Sequence, residues 1–479
     1  VPRVARDGRE RAMTDAFDVI VIGAGPPGEN AAGRCADAGL SVAMVEERLV
    51  GGECSFFGCI PSKTLIRPGD VIAAARRAPG AAEAVTGPLD VAKAFAQRDY
   101  MTSDLSDRTQ TPWLDSEGIE LVRGHGRLAG ERAVEVELQD GTGTRRLTAR
   151  TAVVVAIGTS ALVPPIEGLR EASPWTNVEA TSTKELPRRL LVLGGGPIGA
   201  ELAQAFRRLG SEEVTVIEGG PRMLAREEPW AGALVREAFE AEGIVVVTDA
   251  RMVKAARDDA DAPVTATLQD GRSFVGDQIL VGVGRRPRTS DAGLDTVGLG
   301  DLAGRYLDVD DHLRVRGIEG GWLYAVGDCN GRALLTHMGK YQGRICGDVI
   351  LGRDTHDVAD GDIVPHVTFT DPQVAAVGLL EEEARQRGLS VRIVTTPTGG
   401  VAGAYTRGNG IGGTSQLVVD EDRRAIVGAT FVGPDVQEIV HAATVAIAGR
   451  VTLDDLWHAV PSFPTMSEVW LRLLEAYGL

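Results

Sequence analysis

The sequence predicts an α/β fold in which a unit of strand, glycine turn, helix and strand is built twice. Three observations predict it. The motif Gly23-Ala24-Gly25-Pro26-Pro27-Gly28 recurs as Gly194-Gly195-Gly196-Pro197-Ile198-Gly199. In each copy an acid follows the first glycine: Glu46 comes 23 residues after Gly23, and Glu218 comes 24 residues after Gly194. The chain is 479 residues long, too long for a single core, and predicts about three domains.

The elements follow in order. Residues 1–16 are polar and Arg-rich, with acids mixed in and no apolar stretch behind them, so a flexible tail is expected there and not a secretory signal. Residues 17–22 read as a buried strand, 29–38 as a helix, and 41–45 as a second strand ending at Glu46. The second copy repeats this, with a strand at 190–193, a helix at 201–209 and a strand at 214–217 ending at Glu218. The spacing has a physical cause. The first glycine makes the strand-to-helix turn, the second lets a pyrophosphate approach the backbone, and the third lets helix and strand pack closely. The pyrophosphate then sits at the positive helix end, and the acid accepts from a ribose. Two such units imply two Rossmann-like domains and two dinucleotides. A carboxylate at Glu218 repels a 2′-phosphate and favours NAD(H) over NADP(H), although Arg222 stands close by in sequence.

Composition excludes several functions. The chain is 43% hydrophobic and 24% charged, ordinary globular material. Its 67 acids and 50 bases give a net charge of −17, which suits neither nucleic acid nor an anionic membrane as a general partner. Five cysteines are too few for a disulfide-stapled scaffold. No apolar run is long enough to insert into a membrane, and a cytoplasmic protein is expected. The only lysines are Lys63, Lys93, Lys184, Lys254 and Lys340, so a lysine inside a motif stands out.

Such a motif follows the first glycine turn: Gly51-Gly52-Glu53-Cys54-Ser55-Phe56-Phe57-Gly58-Cys59-Ile60-Pro61-Ser62-Lys63. Cysteines five apart in a regular helix are separated by about 7.5 Å of axial rise. That exceeds the roughly 4.4–6.8 Å between Cα atoms that a disulfide wants. If the pair closes, the segment is therefore a distorted turn leading into a helix, for which Gly58 and Pro61 are suited. A helix N-terminus also favours a thiolate. A close pair is usually redox-active or metal-binding. No second ligand pair stands at zinc-like spacing, so no metal is expected. The isolated Cys35, Cys329 and Cys346 read as core residues.

A GGxCxxxGCxPSK segment behind a glycine-turn unit closely resembles the class I pyridine nucleotide-disulfide oxidoreductases, the group of dihydrolipoamide dehydrogenase, glutathione reductase and mercuric reductase. The resemblance runs through residues 153–158, Val281-Gly282-Val283-Gly284-Arg285-Arg286-Pro287, Leu323-Tyr324-Ala325-Val326-Gly327-Asp328, Phe369-Thr370-Asp371-Pro372 and Pro464-Thr465-Met466-Ser467-Glu468. It implies an FAD-binding domain at 17–161, an NAD-binding domain at 162–287, a central domain completing the FAD site at 288–360, and a C-terminal α+β dimerisation domain at 361–479. A homodimer is implied with it. Cys59 would be the thiol beside the flavin and Cys54 the interchange thiol. Lys63 would lie near flavin N5 and pair with Glu201, placing a cation where the reduced ring gains charge. Gly52, Gly126, Gly158, Asp328 and Thr336 would serve the FAD together with Gly23, Gly25, Gly28 and Glu46. Asp328 would bind the ribitol, and Thr336 would start a helix aimed at the flavin. Gly194, Gly196, Gly199, Glu218, Gly284 and Arg285 would serve the nicotinamide nucleotide.

The pattern breaks at one place. Disulfide reductases of the group carry an acid–base histidine before the Pro-Thr of the terminal segment, oriented by a glutamate five residues on. Here Glu468 is kept but the histidine position is Phe463. Such acid–base help is typically worth about 10²–10⁴-fold. The expected acceptor is therefore a small molecule that needs no thiol exchange, such as a quinone or metal ion. Mercuric reductases share a Phe-Pro pair here but end in two adjacent cysteines, where this chain reads Tyr477-Gly478-Leu479, so mercury is not expected. The alternatives are a dihydrolipoamide dehydrogenase or other thiol reductase using a different base, for which His458 is the nearby option, and a flavin-binding sensor, which would need no dithiol.

Overall fold

The computed structural model describes residues 15–359 and 361–479. The expected tail thus lies outside the described residues, apart from its last two. Ala16 opens the first strand instead of closing the tail, because the Asp15 carbonyl already accepts from Thr148 N at 2.7 Å. The chain divides into two compact units of interleaved segments.

The first unit comprises residues 15–52, 107–159 and 287–357. Its parallel sheet runs in the order Glu120–Leu128, Val42–Glu46, Ala16–Ile22, Thr144–Val155, Leu323–Ala325. The strand Ala133–Leu138 pairs antiparallel with both Glu120–Leu128 and Thr144–Val155. The strands facing the core read as apolar runs, as a sheet covered on both faces requires. Ile20, Val134 and Val153 are fully buried. Helix Pro26–Asp37 packs on helix Thr336–Ile350 through Gly339, Gly343 and Gly347, four residues apart on one helix face. A Cβ at Gly343 would stand 2.4 Å from the Pro27 carbonyl oxygen, so the backbones touch there. Arg34 closes the far end of this contact on Asp348 at 2.7 and 2.9 Å.

The second unit comprises Glu53–Ser106, Ser160–Arg286 and Val358–Leu479. It holds a parallel sheet in the order Gln278–Val281, Arg189–Leu193, Glu213–Ile217, Val245–Val247. A small antiparallel sheet of Met252–Ala256, Val264–Leu268 and Ser273–Gly276 belongs to the same unit. So does a five-stranded antiparallel sheet running from His366–Thr368 to Val391–Pro397, with helices Val436–Gly449 and Val469–Tyr477 on it. The fold is thus two Rossmann-like α/β nucleotide-binding parts and an α+β C-terminal part.

Both glycine-turn helices start earlier than the sequence suggests. They begin at Pro26 and Pro197, inside the motif, and not at 29 and 201. Proline has no N–H to lose in the first helical turn and its φ is already helical, so the helix absorbs the turn. Among the described residues, no helix is long and apolar enough to cross a membrane.

Candidate active site

The two glycine turns are near copies in atomic detail. Gly23 and Gly194 have φ of +102° and +109°, which only glycine adopts at low cost. A Cβ at Gly28 would stand 2.0 Å from the Gly23 carbonyl oxygen, and one at Gly199 would stand 1.9 Å from that of Gly194. The third glycine in each copy is therefore obligatory for packing. The middle glycine differs. A Cβ at Gly25 would meet nothing nearer than 3.9 Å, and one at Gly196 nothing within 4 Å. These positions face open space at a helix N-terminus, and that is the cradle a pyrophosphate occupies.

The acids hold the turns in the same way. Glu46 Oε2 accepts from Ala24 N at 2.8 Å and Oε1 from Arg48 N at 2.7 Å. Glu218 Oε2 accepts from Gly195 N and Oε1 from Gly220 N, both at 2.6 Å. Each oxygen keeps a second lone pair for a ribose hydroxyl. Burial pushes the Glu46 carboxyl up, against the two backbone donors. Arg222 Nη2 donates to the carbonyls of Ala225 at 2.8 Å and Glu227 at 3.2 Å.

The other first-unit residues gather around the first turn. Gly52, with φ +60°, brings its Cα side onto Gly25, where a Cβ would stand 2.9 Å from the Gly25 Cα. Gly126 lies in the strand beyond Glu46, where a Cβ would press within 2.8 Å of Val45. Asp328 Oδ2 accepts from Thr159 Oγ1 at 2.7 Å, just past the left-handed Gly158. Thr336 is the first residue of a 15-residue helix. Gln342 on that helix is fully buried; its Oε1 takes Gly327 N and Asn330 Nδ2, and its Nε2 has no partner. Sequence reasoning had no signal for Gln342. The open turn, the engaged acid and this orphaned donor beside Asp328 fit a flavin dinucleotide.

The thiol segment belongs to the second unit. Cys54 lies half-buried in the short helix Gly52–Phe56, and Cys59 is the exposed first residue of helix Cys59–Arg77. Gly58 between them has φ −126° and ψ −111°, a break in the helical path of the kind that closure of the pair requires. One turn on, Lys63 Nζ pairs with Glu201 Oε2 at 2.6 Å and sits 4.7 Å from the Phe369 ring centre. Glu201 Oε1 accepts from Phe369 N at 3.0 Å, so the buried carboxylate is satisfied at both oxygens. Gly284 leads out of strand Gln278–Val281 with φ +145°. The guanidinium of Arg285 pairs with Glu53, a partner that nothing in the sequence suggested.

A second cluster fixes the thiol helix on helix Pro197–Leu209. Arg208 donates to Asp70 at 2.9 Å, to Glu242 at 2.6 Å and to Asp371 at 2.8 Å, and Arg77 joins at Asp371. Gly69 lets the helices touch, since a Cβ there would meet the Arg208 stem at 2.8 Å. Burial pushes the Asp70 carboxyl up to about 6 despite Arg208.

The terminal segment is arranged differently from the expectation for a thiol reductase. Glu468 is buried, and its Oε2 accepts from Gly403 N at 3.1 Å and Thr465 N at 3.2 Å, capping the turn Met466–Glu468. Phe463 is 78% exposed, and His458 is exposed at the end of helix Leu453–Trp457. Cys35, Cys329 and Cys346 are buried, and burial pushes all three thiols well up, the first two to about 12. They are packing residues. Among the described residues, no group of three or more His, Cys, Asp or Glu is placed to hold a metal ion.

Two dinucleotide turns, a cysteine pair at a helix start and a lysine–glutamate pair one turn on define a flavoprotein reductase of the disulfide type. The chain matches the pyridine nucleotide-disulphide oxidoreductase family over residues 17–343 and that family's dimerisation domain over 364–473, and it belongs to this family. A dihydrolipoyl dehydrogenase of Thermus scotoductus is 34% identical over 465 residues, covering 96% of this chain and 97% of that protein. A mercuric reductase of Staphylococcus aureus is 29% identical over 460 residues, covering 94% of this chain and 81% of that one. Among solved structures, LpdA of Mycobacterium tuberculosis superposes with a TM-score of 0.85 at 27% identity, covering 96% of this chain and 100% of that one. The protein is therefore an FAD-containing, pyridine-nucleotide-dependent oxidoreductase.

Proposed function

We propose that the protein oxidises NADH and passes the electrons, through FAD and a redox-active Cys54–Cys59 pair, to a small acceptor such as a quinone or a metal ion. The observation that carries this reading is the terminal segment. The side chain at the acid–base position is the exposed Phe463, which moves no proton, and Glu468 is engaged as a cap. FAD, when bound, supplies two-electron exchange between the nicotinamide and the disulfide.

The chain's own residues do the rest. The open faces at Gly25 and Gly196 admit the two pyrophosphates, and Glu46 and Glu218 orient the riboses. Lys63, held by Glu201, supplies the positive charge for a ring that gains electrons. Cys59, at the start of a 19-residue helix, is the thiol whose charged form the helix dipole favours. Glu218, with Arg222 turned onto backbone carbonyls, selects NADH over NADPH. The homodimer is part of this reading and rests on the dimerisation domain.

An anaerobic NADH titration followed by an acceptor panel tests it. A long-wavelength thiolate-to-flavin band at two electrons, brisk quinone reduction and slow lipoamide reduction are expected. Fast lipoamide turnover would overturn the acceptor assignment, and absence of the band would remove the cysteines from the mechanism. A dihydrolipoamide dehydrogenase with another base is the second reading. The end-to-end match to a protein of that name favours it.

A further inference from the structure

The loop 219–228 joins Glu218 to helix Pro229–Ala241, and it is fastened at both ends. At the glycine turn, Gly220 N donates to Glu218 Oε1 at 2.6 Å and Leu224 N to the Gly195 carbonyl at 3.0 Å. A Cβ at Gly195 would stand 3.3 Å from the Met223 side chain, so the loop packs directly on the turn. Leu224 has φ +49°, which a leucine keeps only where its surroundings impose it. Glu227 N donates to the Leu224 carbonyl at 2.9 Å, and Arg222 Nη2 to the Glu227 carbonyl at 3.2 Å. At the far end the Glu227 side chain, only 4% exposed, meets His366 Nε2 at 3.0 Å through Oε1 and 3.1 Å through Oε2. His366 opens strand His366–Thr368 of the five-stranded sheet.

The His366 ring faces an acceptor on each side, since its Nδ1 lies 3.3 Å from the Val364 carbonyl. Beside a carboxylate, the ring makes both contacts only with a proton on each nitrogen, as imidazolium. Burial pushes the imidazole pKa down, but Glu227 and the Val364 carbonyl outweigh burial and the repulsion of the exposed Arg226, and hold it above its ordinary 6.5. The other charged groups on the elements packed against this strand are engaged elsewhere. Glu228 Oε1 takes Gln416 Nε2 at 2.9 Å and Glu381 N at 2.8 Å, and burial pushes its carboxyl up. On helix Pro197–Leu209, Glu201 serves Lys63 and Phe369 N, while Arg207 and Arg208 are tied to the carbonyl and the carboxylate of Glu242. Asp362, ahead of the strand, pairs with Arg387. The neighbouring strand Gln373–Gly378 carries no charge.

We infer that His366 is a positioning residue for the nicotinamide nucleotide: its imidazolium holds Glu227 and, through the loop 219–228, keeps the second glycine turn and Glu218 in the form that binds. The inference rests on the reading of that turn and Glu218 as the nucleotide site. Loss of one ring proton removes the bond to Val364 or the bond to Glu227, and it leaves a buried carboxylate without its cation. A histidine held above its ordinary value makes its contribution in full below about 6.5 and loses it as pH rises through the raised value. Affinity for the nucleotide therefore falls as pH rises, although His366 itself acts only through Glu227 and the loop.

Calorimetric titration of the oxidised holoprotein with NAD⁺, from about pH 6 to about pH 9, tests the inference, with His366 followed by hydrogen exchange at its ring C2 and peptide mass. The wild-type dissociation constant should rise about fivefold or more over the interval in which His366 titrates. His366→Gln should bind NAD⁺ as weakly as the wild type does at high pH and should lose this step. Glu227→Gln should lower the His366 midpoint by about one pH unit or more, and any step that remains should move with it. A step of the same size and position in His366→Gln, or a wild-type affinity that stays flat while His366 titrates, would show a merely structural brace and overturn the inference. If His366→Gln does not fold, Glu227→Gln decides alone: a step that keeps its wild-type pH overturns the inference. The underlying reading fails separately. Glu218→Ala should weaken NAD⁺ binding about tenfold at every pH, and an unchanged affinity would remove Glu218 from the nucleotide site whatever His366 does.

Discussion

Lys63 Nζ donates to Glu201 Oε2 at 2.6 Å, joining the thiol helix to the helix of the second glycine turn. The pair is unequal: the Lys63 side chain is 34% exposed and that of Glu201 only 6%. Removing the lysine strands a carboxylate in the interior, whereas removing the carboxylate leaves an ammonium that water still reaches. Lys63→Met should therefore cost about 1–3 kcal/mol of holoprotein stability in a denaturant titration, and Glu201→Gln less than about 1. Lys63→Met should also lower the flavin reduction potential, which spectroelectrochemistry reads directly.

The two glycines of one turn should fail in different ways. Gly196→Ala adds a methyl where nothing lies within 4 Å, so fold and flavin content should persist while KM for NADH rises about tenfold or more. Gly199→Ala puts a Cβ 1.9 Å from the Gly194 carbonyl oxygen, so the turn itself must shift and the purified protein should lose stability. Equal KM effects with equal thermal stability would contradict the packing role of the third glycine.

The glycine turns were legible in the sequence because they are local. Gly23, Gly25, Gly28 and Glu46 lie within 24 residues, and their spacing encodes the turn that unites them. The segment of Cys54, Gly58 and Cys59 is local in the same way, and the interval calls for a break in the helix if the pair is to close. The two helix starts were misplaced because Pro26 and Pro197 were assigned to the turn motif, although proline suits a first helical turn. Glu53–Arg285 was illegible for another reason: its partners are 232 residues apart. The Arg208 cluster likewise draws its carboxylates from three separate segments. Charged pairs of this kind follow no periodicity, and only the folded chain shows them. The cap that Glu468 makes on Gly403 N and Thr465 N was not legible in the sequence.

Glu29 makes stability depend on pH in an unusual direction. Burial, with Glu46 adding repulsion and Lys340 opposing, pushes its carboxyl up to about 7 from an ordinary 4.5. Between those values the folded chain holds a proton that the unfolded chain has released. This group's contribution to stability is therefore full below about pH 4.5, falls as pH rises towards 7, and is gone above that. Glu29→Gln removes the fall. The variant should unfold at a higher temperature than wild type at pH 8 and at a similar temperature at pH 4.5, in parallel thermal scans of the holoprotein.

On the proposed reading, nicotinamide choice turns on the Glu218 carboxylate. Both Glu218 oxygens are fixed by backbone donors at 2.6 Å, so the charge stays at the ribose position. Arg222 Nη2 is held by the carbonyls of Ala225 and Glu227, which turns one edge of the guanidinium onto the backbone. kcat/KM should favour NADH over NADPH by about tenfold or more, and Glu218→Ala should narrow the ratio from the NADPH side. A wild-type preference for NADPH would mean that Arg222 leaves its carbonyls when the nucleotide binds.

Phe463 offers the sharpest division between the two acceptor readings. Its side chain is 78% exposed, so replacement disturbs little packing and should leave stability unchanged. Phe463→His restores an ionisable ring five residues before Glu468. If the missing base is what excludes disulfide substrates, lipoamide reduction should rise tenfold or more, within the roughly 10²–10⁴-fold that acid–base help supplies, while quinone reduction stays constant. The gain should carry a new pH dependence, since only the imidazole form that accepts a proton assists the exchange. Absence of any gain from a slow wild type would show that Glu468, held by Gly403 N and Thr465 N, cannot also orient the ring. In that case Glu468→Gln, which keeps an acceptor oxygen for the cap, should leave the disulfide rate of Phe463→His unchanged as well.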